Sequence, residues 1–111
     1  MKQSVPVDRD TANTYAAWFK ALADGTRVQV VSLLACAGRP MTVKEIVAAV
    51  AVGQSTVSAH LRQLAAVGFV LAEEHGTSRL YRINQACVDC FPTAADLVLG
   101  RPAPVPLGMA G

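Results

Sequence analysis

Residues 42–68 narrow the folds open to this chain more than any other stretch. Thr42-Val-Lys-Glu45 reads as a capping box. The threonine hydroxyl accepts from the backbone N–H three residues on, and the glutamate returns a bond to the threonine N–H. Val43, Ile46, Val47 and Val50 then recur at helical spacing and predict a short helix with one apolar face. Residues 51–55, with Gly53, make a turn. A second amphipathic helix is expected over 54–67, with Val57, Leu61, Leu64 and Ala65 inward and Gly68 as its stop. Two short helices joined by such a turn form a helix-turn-helix. Residues 69–73 and 79–84 are strand-like, and the polar loop His75-Gly-Thr-Ser78 between them suits a hairpin. A hairpin directly behind a helix-turn-helix supplies a wing.

Upstream, residues 1–10 are mixed and polar, contain Pro6, and read as a flexible arm. A helix is expected from Thr11, where Tyr15, Trp18, Phe19 and Leu22 fall at i, i+3, i+4 and i+7. Three of the chain's six aromatic residues lie on that stripe. It calls for burial, against the domain's own core or a second copy of the chain. Asp24-Gly25 breaks this helix, and Asp24 or Thr26 caps the next. Val28, Val31, Leu34 and Ala35 form that helix's expected buried face, and Gly38 and Pro40 its end. After the hairpin a last helical segment lies between Gln85 and Leu99. Pro92 lacks an N–H and belongs in the first turn of a helix through Leu97 and Leu99. Residues 101–111 carry three prolines and two glycines and read as a disordered tail. The expectation is a mainly α chain with a small β-hairpin, a winged helix-turn-helix in the order α-α-α-α-β-β-α. One DNA-binding and dimerisation domain spans 11–100, and there is no internal repeat.

The chain's 111 residues suit a single domain. Hydrophobic residues make up 52%, but only 5% are aromatic, so the core is built of small side chains and a dimer interface would supplement it. The net charge of +2 is too small to establish nucleic-acid binding on its own. No apolar run reaches the roughly 18–20 residues that cross a bilayer, and residues 1–10 have no apolar core of a signal peptide. A cytoplasmic location with no membrane partner is expected, where three cysteines stay reduced. An enzyme is not expected. There is no nucleophile–base arrangement, no phosphate-cradling glycine loop and no catalytic carboxylate pair.

The second helix of the helix-turn-helix carries the functional signal. Gln54, Ser55, Thr56, Ser58, Arg62 and Gln63 are polar and lie off its apolar stripe, with His60 near the same face. Glutamine bonds adenine edges, arginine favours guanine or phosphate, and serine and threonine fit either bases or phosphates. Polar outer faces are the normal state of surface helices. An idle face, however, is more often filled with glutamate and lysine. Here no acidic residue occurs from Gly53 to Val70, which removes the groups that would repel phosphate. Arg79, taken as the foot of the hairpin, would reach a phosphate or the minor groove. Double-stranded operator DNA is the expected partner, and a protein-interaction module on the same scaffold is the rival from another class.

Three runs together resemble the ArsR/SmtB family of bacterial winged-helix repressors that sense metals and metalloids. They are Phe19-Lys-Ala-Leu-Ala-Asp-Gly-Thr-Arg27, then Gln-Ser-Thr-Val-Ser-Ala-His-Leu-Arg-Gln-Leu over 54–64, and Gly-Thr-Ser-Arg-Leu-Tyr-Arg-Ile over 76–83. The resemblance covers roughly residues 14–84. It implies a homodimer joined by the first and last helices, with Tyr15, Trp18, Phe19 and Leu97 at the contact, and ligand binding that weakens the DNA complex. The cysteine-bearing motif many members carry before the recognition helix is absent from residues 43–50, and no histidine follows His75. Cys87-Val-Asp-Cys90 remains. Two thiolates near a helix start select soft ions such as arsenite, cadmium or zinc. A third ligand would come from Asp89, Cys36 or the other subunit. The same pair forming a disulfide under oxidant is the alternative signal. Cys36, on an apolar helix face, reads as a core residue.

Overall fold

The structure, a computed structural model, describes residues 6–100, without the side chains at positions 88 and 90–93. Its elements run α1 (Arg9–Ala21), α2 (Gly25–Ala37), β1 (Met41–Thr42), α3 (Val43–Val50), α4 (Gln54–Ala66), β2 (Val70–His75), β3 (Ser78–Ile83) and α5 (Gln85–Val98). The expected order stands with one addition, the two-residue strand β1. It pairs antiparallel with β3, Met41 opposite Tyr81 and Thr42 opposite Leu80. The sheet is therefore three-stranded, in the order β1-β3-β2.

Side chains set the helix boundaries. Asp8 caps α1, its carboxylate accepting from the Thr11 N–H at 2.8 Å. The helix thus begins at Arg9 and takes in part of what read as an arm; residues 1–5 and the tail at 101–111 lie outside the described residues. Asp24 caps α2 by accepting from the N–H groups of Thr26 and Arg27. The capping box on α3 is present: Glu45 N–H donates to the Thr42 hydroxyl at 3.1 Å, and Thr42 N–H donates to the Glu45 carboxylate at 2.9 Å. The turn between α3 and α4 does not use Gly53 for its left-handed residue. Ala51 takes that conformation, at φ 58°, while Gly53 sits at φ −59° as the N-cap of α4.

The core gathers where α2, α3, α4 and the sheet meet. Val30 and Leu34 of α2, Ile46 of α3, Val57, Leu61 and Leu64 of α4, and Phe69 and Val70 are almost wholly buried, with Tyr81 and Met41 beside them. Burying each large aliphatic or aromatic group is worth about 1.5–3 kcal/mol relative to exposure. The expected faces of α3 and α4 hold in their main residues, but Ala65 is exposed. On α2 the face is rotated: Val28 and Ala35 are exposed, and Val30 takes the central place. Cys36, expected in the core, is exposed instead and lines a shallow groove with Leu33 of α2 and Ala49 of α3. α5 runs unbroken through position 92, so Pro92 lies in the helix interior and not in its first turn. No helix among the described residues is long and apolar enough to cross a membrane.

Candidate nucleic-acid interface

α4 is held by its apolar stripe and leaves the rest of its circumference open. Val57, Leu61 and Leu64 face the core, while Gln54, Ser55, Thr56, Arg62 and Gln63 are exposed and Ser58 is half-buried. Ser55, Ala59 and Arg62 succeed one another at i, i+4 and i+7, the spacing of one helix face. Gly53 offers no side chain to cap the first turn, so its N–H groups have no side-chain acceptor. Such an end favours anions through those N–H groups and the helix dipole. Arg62 joins no ion pair among the described residues. The open edge is therefore polar, free of acid and carries one unengaged cation.

The wing is electrostatically different. β2 and β3 pair in register from Val70 opposite Ile83 to His75 opposite Ser78, with Gly76 at φ 64° in the tight turn. Arg79 lies one step from that turn, near the tip and not at the foot of the hairpin. Its Nε is 2.8 Å from the Glu74 carboxylate on the facing strand. Arg82 donates likewise to Glu73, which His75 also approaches at 3.2 Å. These bonds, Arg82 first and then His75, hold the Glu73 carboxyl below the usual range and keep it ionised. Both wing arginines are thus engaged by carboxylates of their own hairpin.

His60 stands apart from the open edge of α4. Its side chain is only 15% exposed and faces the start of α2. Nδ1 accepts from Arg27 Nε at 3.0 Å, and Nε2 lies 3.8 Å from Asp24. Arg27 Nη1 donates in addition to the Ala21 carbonyl at the end of α1, at 3.4 Å. The expectation that His60 contacts DNA gives way to an internal role, because its position on the flank of α4 turns it toward α2. Arg27 is the residue sequence reasoning missed; the signal available was a cation alone in the first turn of an otherwise uncharged α2.

The other predicted residues divide. Trp18 and Leu22 pack against the core, and Tyr15 lies over Trp18 with ring centroids 5.4 Å apart. Phe19 at 37% and Leu97 at 42% exposure present apolar surface on the first and last helices, together with Val98 and Leu99. Cys87 is half-buried and packs against the core, while the side chain of Cys90 lies outside those described. Among the described residues no three of His, Cys, Asp and Glu come together to hold a metal ion. A single chain's described donors do not make a complete site.

A helix-turn-helix with an open recognition helix and a β-hairpin wing defines a winged-helix regulator. The model of the family described as "Bacterial regulatory protein, arsR family" matches residues 24–71. The solution structure of the homodimeric winged helix-turn-helix DNA-binding domain of Mb0332 from Mycobacterium bovis, a possible ArsR-family transcriptional regulator, is 34% identical. The likeness covers 80% of this chain and 83% of that one, with a TM-score of 0.66. An ArsR-like transcriptional regulator from Rhodococcus sp. RHA1 shares the fold at 24% identity, over 74% of this chain and 76% of that one, with a TM-score of 0.66. The HTH-type transcriptional regulator Rv0324 of Mycobacterium tuberculosis is 42% identical over 64 residues, which is 58% of this chain and 27% of that protein's length. The chain belongs to the ArsR family, a family of transcriptional regulators and not of enzymes.

Proposed function

We propose that this chain is a homodimeric repressor that reads double-stranded operator DNA with α4 and releases it when a thiophilic metal or metalloid ion binds near the start of α5. The acid-free exposed edge of α4 carries the DNA part. An α-helix fits the major groove, and the N-terminal residues of a recognition helix meet base edges. Here those residues are Gln54, Ser55 and Thr56, with Arg62 two turns on. The exposed apolar surface of Phe19, Leu97, Val98 and Leu99 supports a second copy as partner. Mb0332's domain is itself homodimeric. A dimer reads two half-sites when its recognition helices lie about 34–36 Å apart. Phosphate contacts make DNA affinity fall steeply with salt, whereas a protein partner held by apolar contacts would not show this. Binding to a duplex selected from a random-sequence pool, measured at two salt concentrations, separates these readings.

The effector part rests on spacing. Positions 87 and 90 lie one turn apart on α5, and a second subunit or Asp89 would supply what one chain's pair lacks. Bound there, a soft ion would cross-link groups on the helix that also carries Leu97. Ion and DNA must then weaken each other's binding by the same factor. Titrating the reduced protein–DNA complex with arsenite, cadmium and zinc tests this. Release that survives Cys87→Ser with Cys90→Ser removes the effector assignment and leaves DNA recognition intact.

A further inference from the structure

Resting on the DNA-binding reading of α4, we infer that His60 is a positioning residue whose neutral ring fastens the recognition helix to α2 through Arg27, so that protonating it loosens the DNA grip.

The geometry fixes which nitrogen carries the hydrogen. A guanidinium is always charged and donates only. Arg27 Nε lies 3.0 Å from His60 Nδ1, so Nδ1 must offer its lone pair. In the neutral ring the hydrogen then sits on Nε2, facing Asp24 at 3.8 Å. A proton added at Nδ1 sets donor against donor and cation beside cation, and the bond to Arg27 is lost. The charged ring is drawn instead to Asp24, whose carboxyl the Arg27 backbone N–H holds below the usual range and therefore ionised. Asp24 is the N-cap of α2, so the ring then competes for the group that caps that helix. Lys20 of α1 is the further charge nearby, lining the same cavity as Arg27 and Gln63.

The joint spans three helices. Arg27 reaches the carbonyl of Ala21, the last residue of α1, as well as the second turn of α4. α1 also carries Phe19, so one guanidinium connects the helix with exposed apolar surface to the helix with the polar edge. Among the predicted DNA-facing residues, His60 is the one whose contribution passes through another side chain.

The test uses a duplex selected on the 111-residue chain and binding at constant ionic strength, at about pH 7.5 and about pH 5.5, the range in which histidines change charge. His75 is the chain's other histidine. Every protein therefore carries His75→Asn, which leaves position 60 as the variable. The parent is expected to lose affinity about fivefold or more between the two values, the lower end of ordinary coupling between sites. In His60→Asn the amide oxygen stands where Nδ1 stood and takes up no proton. That variant should bind within about twofold of the parent at the higher pH and stay flat. His60→Leu should bind weakly at both, with its melting temperature checking that it folds. A parent that is flat, or an asparagine variant that falls as steeply as the parent, overturns the inference while DNA binding stands. Failure of the parent to select any duplex overturns the DNA-binding reading, and this inference with it.

Discussion

Replacing Glu74 with glutamine tests whether the wing's cations are held back from phosphate by their own neighbours. Arg79 and Glu74 face each other across the hairpin, 2.8 Å apart, and Arg79 is 57% exposed near the tip that DNA would meet. The carboxylate cancels the arginine's charge locally and would itself repel a phosphate. Glutamine keeps the size and a weaker acceptor but removes the charge. If Arg79 then takes one phosphate, the slope of log affinity against log salt steepens by about 0.9. Over a rise from about 50 to about 200 mM salt, that slope adds roughly a 3.5-fold fall in affinity. Fluorescence anisotropy titrations at the two salt concentrations read both numbers. Arg79→Ala should return the Glu74→Gln slope to its starting value and be nearly silent in the native sequence. An unchanged slope in Glu74→Gln refutes the reasoning. So does a full unit lost on Arg79→Ala alone, which would mean that Arg79 already holds a phosphate despite Glu74.

Leu61→Ala, at a wholly buried site where α4 meets the core, should cost about 2–5 kcal/mol in urea unfolding. Ala51→Gly should raise the melting temperature by several degrees. The left-handed φ of 58° strains alanine, and relief of about 1–2 kcal/mol outweighs glycine's added unfolded-state entropy of about 0.5–1 kcal/mol. Glu45 is held below the usual carboxylate range, first by the Thr42 N–H and then by Arg39. Its contribution is thus complete above the unfolded-state value and is lost as pH falls through the folded one. Glu45→Gln should therefore lower the melting temperature at neutral pH, and its gap from the native chain should close below about pH 4.

Local signals were legible in the sequence and distant ones were not. The capping box at Thr42 and Glu45 and the stop at Gly68 depend on neighbours within a few residues, so spacing alone reveals them. β1 depends on a partner about forty residues later in the chain, Met41 against Tyr81, and two residues carry no period of their own. α2 misled because apolar residues surround it: Val28, Val30, Val31, Leu33 and Leu34 fit more than one buried face, and only its packing partners choose Val30 over Val28. Pro92 was placed by the rule that helices exclude proline from their interiors, a preference that a continuous α5 overrides. Periodicity alone puts Gln54, Ser55, Thr56, Arg62 and Gln63 off the apolar stripe of α4, and they are exposed there. His60 sits on its flank, where the direction of a side chain is decided by what stands opposite. In this fold that is Arg27, contributed by another helix.

Thr42 belongs to two structures at once: it pairs with Leu80 in the sheet and caps α3 with its hydroxyl. The hairpin is consequently a handle and not a flap. Bending it must either tear Thr42 from the ladder or twist the first turn of α3, and α3 packs directly on α4. Anything that grips the wing also steers the angle at which the neighbouring helix is offered.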